Sequence, residues 1–313
     1  LGTFVGKPHS AQSECYLCLR GSLDPTDYNW ATDQMVGGFE EKIAHLGGTV
    51  IVLPVERALS HKQNGELPPI MGVFDLSSGM SEKIREEFCI SRNGGIQAAF
   101  VRYGNQYETD FDTVAFDDVH GGRTATEYLL RQGHRRIAFI GLHSVEHHDQ
   151  WSYMFDWSRE REAGWKMAME SAGQAADGLA FHPAQERDTM SHVKQAQRVY
   201  ETMRRQTWPT EITAAVGLIQ ALQQQAVAPE KWPSVVGFDS AAQARQLLLT
   251  SLRLPWNQIG STAAELLWER KTGRLTSKSE HRQVRMHLIQ RLTTHPDWSR
   301  KSGQMTELEA IAV

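Results

Sequence analysis

Asp117, Asp118 and His120 stand directly before Gly121-Gly122, in a loop that leads from an apolar segment into a helix start. Two carboxylates and an imidazole there can hydrogen-bond a polar ligand, or simply favour the positive end of the helix dipole. Tyr28, Asn29 and Trp30 fill an earlier strand-to-helix loop, where an amide and flat aromatic faces suit a hydroxylated ring. His143, His147, His148 and Asp149 carry metal-ligand side chains. Their spacing matches no closed site, so a polar variable loop is the better reading. Cys15-x-x-Cys18, with Cys89 elsewhere, raises a redox or metal reading. No second ligand pair accompanies it, and Tyr16, Leu17 and Leu19 give the segment strand character, which leaves reduced thiols as the plainer account. Catalytic signatures are missing: there is no G-x-S-x-G elbow, phosphate loop, H-E-x-x-H or complete dinucleotide fingerprint. These absences leave catalysis, a cofactor and a metal poorly supported, while motifs and fold alone exclude no enzyme.

Those side chains must be positioned by a regular scaffold. At 313 residues and 40% hydrophobic content, the chain can bury a large core. No apolar run approaches the roughly 20 residues that cross a bilayer, and the N-terminus lacks a secretory signal, so a cytoplasmic location without membrane is expected. The formal charge of −4 argues against a large basic nucleic-acid surface. Short apolar strands alternate with amphipathic helices: Cys15 to Leu19, Thr49 to Leu53, Ile70 to Phe74, Ala98 to Arg102, Thr113 to Phe116, Ile137 to Ile140, Gly178 to Phe181 and Ser234 to Phe238. Between the first two, Met35, Val36, Phe39, Ile43 and Leu46 trace a helical stripe closed by Gly47-Gly48. EYLLRQGHRRIAFIG, from Glu127, holds one complete step, a helix closing on Gly133 and a buried strand following at once. Alternation of this kind predicts an α/β fold with doubly wound parallel sheets.

VAFDDVHGG together with EYLLRQGHRRIAFIG resembles the effector-binding domain of the LacI family of bacterial transcription regulators. REAGWKMAMESAG from Arg161, SVVGFD from Ser234, LTSLRLPWNQIGSTAAELL from Leu249 and HLIQRLTT from His287 continue the resemblance in the same order, over roughly residues 15 to 295. It implies two Rossmann-like lobes joined by three crossovers, as in periplasmic binding proteins. The N-terminal lobe would take residues 14–141 and 256–278, and the C-terminal lobe 142–254 and 282–295, with 296–313 as a polar tail. Leu1-Gly2-Thr3-Phe4-Val5 resembles the last wing strand of GntR-type winged-helix domains, so residues 1–13 are expected to be the end of such a wing plus a linker. The arrangement would then be that of arabinose-repressor-type regulators, a GntR head on a LacI-type body.

Doubly wound sheets bind ligands at the carboxyl ends of their strands, and the resemblance points to particular residues there. Arg161, three positions before Gly164-Trp165, matches the family's effector-contacting arginine; the alternative is a solvated arginine at a helix start beside Arg159. Asp239, directly after Val235 to Phe238, matches the family's strand-end aspartate or else caps the next helix. Trp256 stands where the family often has an aromatic residue at a crossover, for stacking or for plain packing. Trp30, Asn29, Asp118 and His120 border the same pocket by this analogy. One departure is that PTEIT runs directly into AAVGLIQALQQQ, a few residues shorter than the family's Ala-Asn-Asp segment, so the loop at Thr213-Ala214 is either truncated or incomplete.

The expected function is effector sensing and dimerisation in a regulator, most often a repressor. A sugar-like small molecule bound between the lobes would control operator binding by an N-terminal DNA-binding domain. A homodimer is expected, with surfaces including Asp33 to Leu46 and Ala221 to Gln225. The alternative is a periplasmic or extracellular sugar-binding protein of the same fold. A pentose, hexose or glycoside is the expected effector, although purines and phosphosugars also bind members of this family.

Overall fold

A computed structural model describes residues 4–5, 14–21, 30–77, 81–90, 98–104, 110–141, 156–181, 211–213, 233–239 and 242–294. The elements run β1 (Phe4–Val5), β2 (Cys15–Arg20), α1 (Trp30–His45), β3 (Thr49–Pro54), α2 (Val55–Gln63), β4 (Ile70–Asp75), α3 (Ser81–Cys89), β5 (Ala99–Tyr103) and β6 (Asp112–Phe116). They continue with α4 (Asp118–Arg131), β7 (Ile137–Ile140), α5 (Asp156–Ser171), β8 (Ala180–Phe181), β9 (Glu211–Thr213) and β10 (Ser234–Phe238). The chain then forms α6 (Ala242–Gln246), β11 (Thr250–Arg253), α7 (Trp256–Lys271), β12 (His281–Val284), β13 (His287–Ile289) and a 3₁₀ turn at Leu292–Thr294.

Two compact units result, one from residues 1–116 and 255–284, the other from 117–254 and 285–313. The first holds a sheet ordered β1-β3-β2-β4-β5-β6-β12, and the second a sheet ordered β13-β11-β10-β9-β7-β8. Among the described residues every pairing is parallel except the edge contacts of β1 with β3 and β13 with β11. Parallel strands covered by helices are buried on both faces, which is why β2 and β6 read as nearly unbroken buried runs.

The expected lobe boundaries need correction. α4 and β7 do not belong to the first unit, because β7 pairs with β8 and β9; the first crossing lies at 116/117 rather than after 141. Likewise β12 pairs with β6, so His281–Val284 joins the first unit and the last crossing falls at 284/285. Phe4–Val5, read above as a wing strand, pairs antiparallel with β3 at the edge of the first sheet. The strand expected from Gly178 begins only at Ala180, since Gly178 takes a left-handed turn with φ 73°. The strand expected in HLIQRLTT stops at Ile289, and Thr293 and Thr294 turn into the core. There Thr293 Oγ1 donates to the Val235 carbonyl (2.7 Å) and accepts from the Thr250 amide (2.9 Å), while the Tyr128 hydroxyl lies 2.9 Å from Thr294 Oγ1. The Ala221 to Gln225 helix, the residues after Thr213, the His143 to Asp149 cluster and the tail lie outside the described residues.

The helices close and pack as the sequence dictates. Gly133 adopts φ 97°, and the amides of Gly133 and His134 bond back to the carbonyls of Leu130 (3.0 Å) and Leu129 (3.2 Å), ending α4. Among the described residues, each unit contains a close helix pair. A Cβ at Gly38 of α1 would fall on the Asn257 carbonyl of α7, and one at Gly260 of α7 on the Met35 carbonyl of α1. In the second unit the same reciprocity joins α4 and α5: Gly122 faces the Arg161 carbonyl, and Gly164 the Val119 carbonyl. Only glycine permits backbones to approach this far, so four glycines set two helix joints.

Candidate functional site

The α4–α5 joint places the first group of candidate residues. Because Gly122 lets the Arg161 backbone sit directly on α4, the arginine side chain reaches Asp118, one helical turn before Gly122. Arg161 Nε donates to Asp118 Oδ1 at 2.6 Å, and both residues are buried, at 9% and 2% exposure. Burial costs each ion its hydration, which pairing offsets; removing one partner would leave an uncompensated charge. Trp157, one turn before Arg161 on α5, and Phe238, the last residue of β10, place their rings 4.4 and 4.2 Å from the guanidinium carbon. A cation held over two aromatic rings gains a further electrostatic attraction while losing freedom to move. Among the described residues, no hydrogen bond is made by the two terminal nitrogens of Arg161.

Asp239 follows Phe238 with φ 79°, and its amide donates to the Leu252 carbonyl at 2.8 Å, which continues the β10–β11 ladder past the strand end. Left-handed backbone is uncommon for an aspartate and turns the chain away at this point. His120 lies in the first turn of α4, its amide donating to Asp117 Oδ1 (3.0 Å) and its Nδ1 3.3 Å from Thr124 Oγ1. Asp117 is thus the helix cap, which frees Asp118 to pair with Arg161.

In the first unit, four aromatic residues meet at the carboxyl ends of the strands. Trp256, the first residue of α7, stands edge-to-face with Phe116 (centroids 4.8 Å apart, 87°), Trp30 (6.2 Å, 80°) and Tyr103 (6.1 Å, 62°). Phe116 ends β6, Tyr103 ends β5, and Trp30 opens α1. Such geometry suits both mutual packing and the C–H face of a sugar ring. Next to this wall, Asp75 at the end of β4 is fully buried and accepts from the amide (2.9 Å) and hydroxyl (2.6 Å) of Ser77. It is also the register partner of buried Arg102 on β5.

Of the sequence-derived candidates, the structure brings Arg161 together with Asp118, and Trp30 with Trp256, while Asn29 lies outside the described residues. Trp157, Phe238, Tyr103, Phe116, Asp75 and Arg102 were not singled out from sequence. A helical i, i+4 search around Arg161 finds Trp157, and a scan for polar or aromatic strand-final residues finds most of the others. All three cysteines are buried free thiols, and burial pushes Cys89 up to about 12 and raises Cys15 and Cys18 as well. Among the described residues no cluster of His, Cys, Asp or Glu has the makings of a metal site, and no helix is long and apolar enough to cross a membrane.

With this geometry in hand, comparison with known proteins is informative. The profile of the periplasmic binding protein-like domain matches residues 126–294. The HTH-type transcriptional repressor PurR of Vibrio atlanticus (strain LGP32) is 28% identical over 207 residues, covering 64% of this chain and 57% of that protein. The chain therefore spans little more than half the length of that relative. The arabinose metabolism transcriptional repressor of Geobacillus stearothermophilus is 27% identical over 307 residues, covering 94% of this chain and 81% of the repressor. A crystal structure of a regulatory protein of the LacI family from Chloroflexus aggregans superposes with a TM-score of 0.67 at 20% identity, over 88% of this chain and 97% of that one. That likeness shows the shared α/β fold with parallel sheets.

Proposed function

This chain belongs to the periplasmic binding protein-like domain family, and from that premise we propose that it is the effector-sensing and dimerising part of a bacterial transcription regulator of LacI type. Its curated relatives carry the names of transcriptional repressors, which supports repression as the output. The carrying observation is Arg161: a buried guanidinium locked through Nε by Asp118 and covered by two rings, whose terminal nitrogens hydrogen-bond none of the described residues. A side chain so constrained is pre-organised to hydrogen-bond a ligand at small entropic cost. In the first unit, the aromatic wall around Trp256 is by itself an apolar face suited to a sugar ring, and the name of the Geobacillus relative favours a sugar.

In this reading the ligand favours one arrangement of the sensor by its differential affinity for it, and that bias is passed to DNA-reading heads of a two-fold dimer in the cytoplasm. Operator DNA is contacted by an N-terminal winged helix of GntR type, a reading supported by the resemblance of Leu1 to Val5 alone, of which Phe4 and Val5 here pair with β3. The groups described here bind and orient; they perform no catalysis. The test is a thermal-shift screen with pentoses, hexoses and glycosides. At a hundred times its dissociation constant, a ligand stabilises the fold by about 2.7 kcal/mol, which is readily measured. Arg161→Ala and Asp239→Ala are each expected to abolish the shift; full retention by both variants would refute the placement of the site.

A further inference from the structure

We infer that Met286 is a positioning residue: it backs the Phe238 ring that holds the Arg161 guanidinium, and so ties the grip on ligand to the chain's last crossing between the units. The inference rests on the sensing role proposed above and adds to it the residue through which occupancy reaches that crossing.

The contacts run through the second unit. Phe238 ends β10, and its ring centroid lies 4.2 Å from the guanidinium carbon of Arg161. An aromatic face holds a cation only while the ring keeps its tilt, so whatever fixes Phe238 also fixes the arginine. The edge of that ring and the side chain of Met286 close together over Gly121, in the first turn of α4. A Cβ at Gly121 would lie 2.8 Å from Met286 Sδ, 3.2 Å from its Cε and 3.4 Å from Phe238 Cε1. Glycine therefore leaves a hollow that the thioether fills, and the unbranched side chain of methionine suits such an irregular space. Met286 is buried although the residue before it, Arg285, is exposed. Its place in the chain gives the contact its meaning. Val284, two residues earlier, ends β12 and is the register partner of Phe116, the last residue of β6. The chain passes from the first unit to the second directly after Phe116 and again directly after Val284. Beyond the earlier crossing, the Gly121 amide donates to the carbonyl of Asp117 (2.9 Å), and Gly121 meets Met286. Two crossings are thus joined at both ends, by backbone pairing in the first unit and by the Gly121–Met286 contact in the second. Close-packed interiors transmit displacement. A change in the tilt of Phe238 when ligand loads Arg161 is taken up by Met286, and through it by the segment that carries the last crossing.

The experiment combines titration calorimetry with hydrogen exchange read by mass spectrometry, on the unaltered protein, Met286→Ala, Gly121→Ala and the double variant. The probe is whichever of arabinose, ribose, glucose, galactose and cellobiose raises the melting temperature most. Met286→Ala empties the hollow, and Gly121→Ala drives the thioether out of it. Each is expected to weaken sugar binding by roughly twofold to thirtyfold, the span of coupling through packed neighbours. In the double variant the new methyl stands 3.4 Å from Phe238 Cε1, an ordinary contact. The ring regains its backing there, and the sugar should bind more tightly than in either single variant. Independent structural defects would instead add. In the unaltered protein, saturating sugar should slow amide exchange across residues 285–289; in Met286→Ala, equally saturated, that slowing should be absent. Met286→Leu, which conserves volume, should keep both the affinity and the slowing. If Met286→Ala does not fold, Gly121→Ala carries the test, since only the mobile end of a side chain has to yield to its methyl. Unchanged affinity in both single variants, additive losses in the double variant, or undiminished slowing in Met286→Ala overturns this inference. In that case a thermal shift that Arg161→Ala still abolishes leaves the sensing role standing. If no sugar of the panel stabilises the unaltered protein, the sensing role falls and this inference with it.

Discussion

Asp118 and Arg161 show how one buried pair couples stability to recognition. With so little exposure the charges are weakly screened, so loss of either partner leaves the other stranded at a cost of roughly 3–5 kcal/mol. Arg161→Ala must therefore be read together with its melting temperature: loss of ligand response in a protein that still melts cooperatively assigns the arginine to binding. The cysteines call for a different measurement. Cys18 and Cys89 lie in the core of the first unit, and burial raises their thiols because the apolar surroundings penalise the thiolate. Since the thiolate is the reactive form, the native protein at pH 7 is expected to react with a thiol reagent such as Ellman's reagent far more slowly than the unfolded chain. All three cysteines should label once denaturant is added. Rapid labelling of the native protein at neutral pH would contradict the burial of β2 and α3. At this scale the sequence was partly legible: arginine, aspartate and tryptophan announce polar recognition by their chemistry. That Asp118 would pair with Arg161 was not legible, because the two are 43 positions apart.

Strands and helices were legible to within a residue or two wherever local pattern decided them. Ile137–Ile140 and Ser234–Phe238 came out as read, since buried parallel strands are short apolar runs bounded by turn residues. α2 and α3 carry mixed polar faces and were not foreseen, as was β12, whose His-Arg-Gln-Val is held by pairing with β6 rather than by its own propensity. Glycine at the helix joints has the sharpest mechanical consequence. Gly164→Ala would drive a methyl group into the Val119 carbonyl of α4, and Gly260→Ala one into the Met35 carbonyl of α1. Each is expected to destabilise the protein by about 1–3 kcal/mol, the usual range for overpacking, as measured by urea denaturation. Gly37→Ala, where a Cβ meets nothing, should be neutral or slightly stabilising. Equal effects at Gly37 and Gly164 would show that the close approach of α4 and α5 does not exist in solution. Gly164→Ala should also weaken ligand response beyond its effect on stability, because the same joint aims Arg161.

A regulator that reads a palindromic operator needs a two-fold dimer, since each half-site must meet an identical head. The expected state of this protein is a dimer with twice the 35.3 kDa mass of the chain, measured by sedimentation equilibrium at micromolar concentration. A strictly monomeric protein under those conditions would favour the alternative, a binding protein of the same fold. Ligand should leave the assembly state unchanged, because the effector in this reading alters conformation and not association. Each unit is internally tied across long chain separations. Arg270 on α7 grips Asp112 on β6 through Nε (2.8 Å) and Nη2 (2.6 Å), and the Glu280 amide donates to the same carboxylate (2.8 Å). That clasp fastens the returning segment, α7 and β12, onto a sheet built mostly from the first third of the chain.

The alternation of apolar runs, amphipathic stripes and closing glycines settled the fold class, because secondary structure and parallel pairing follow from periodicities of two and of 3.6 that any short window contains. Where the chain crosses from one unit to the other was decided only in three dimensions. A crossing is defined by which strand a segment pairs with, and β7 and β12 carry no local mark of their neighbours. The same holds for the site. Its residue types are written in the chain, but the guanidinium's company of Asp118, Trp157 and Phe238 exists only because two glycines let α4 and α5 touch.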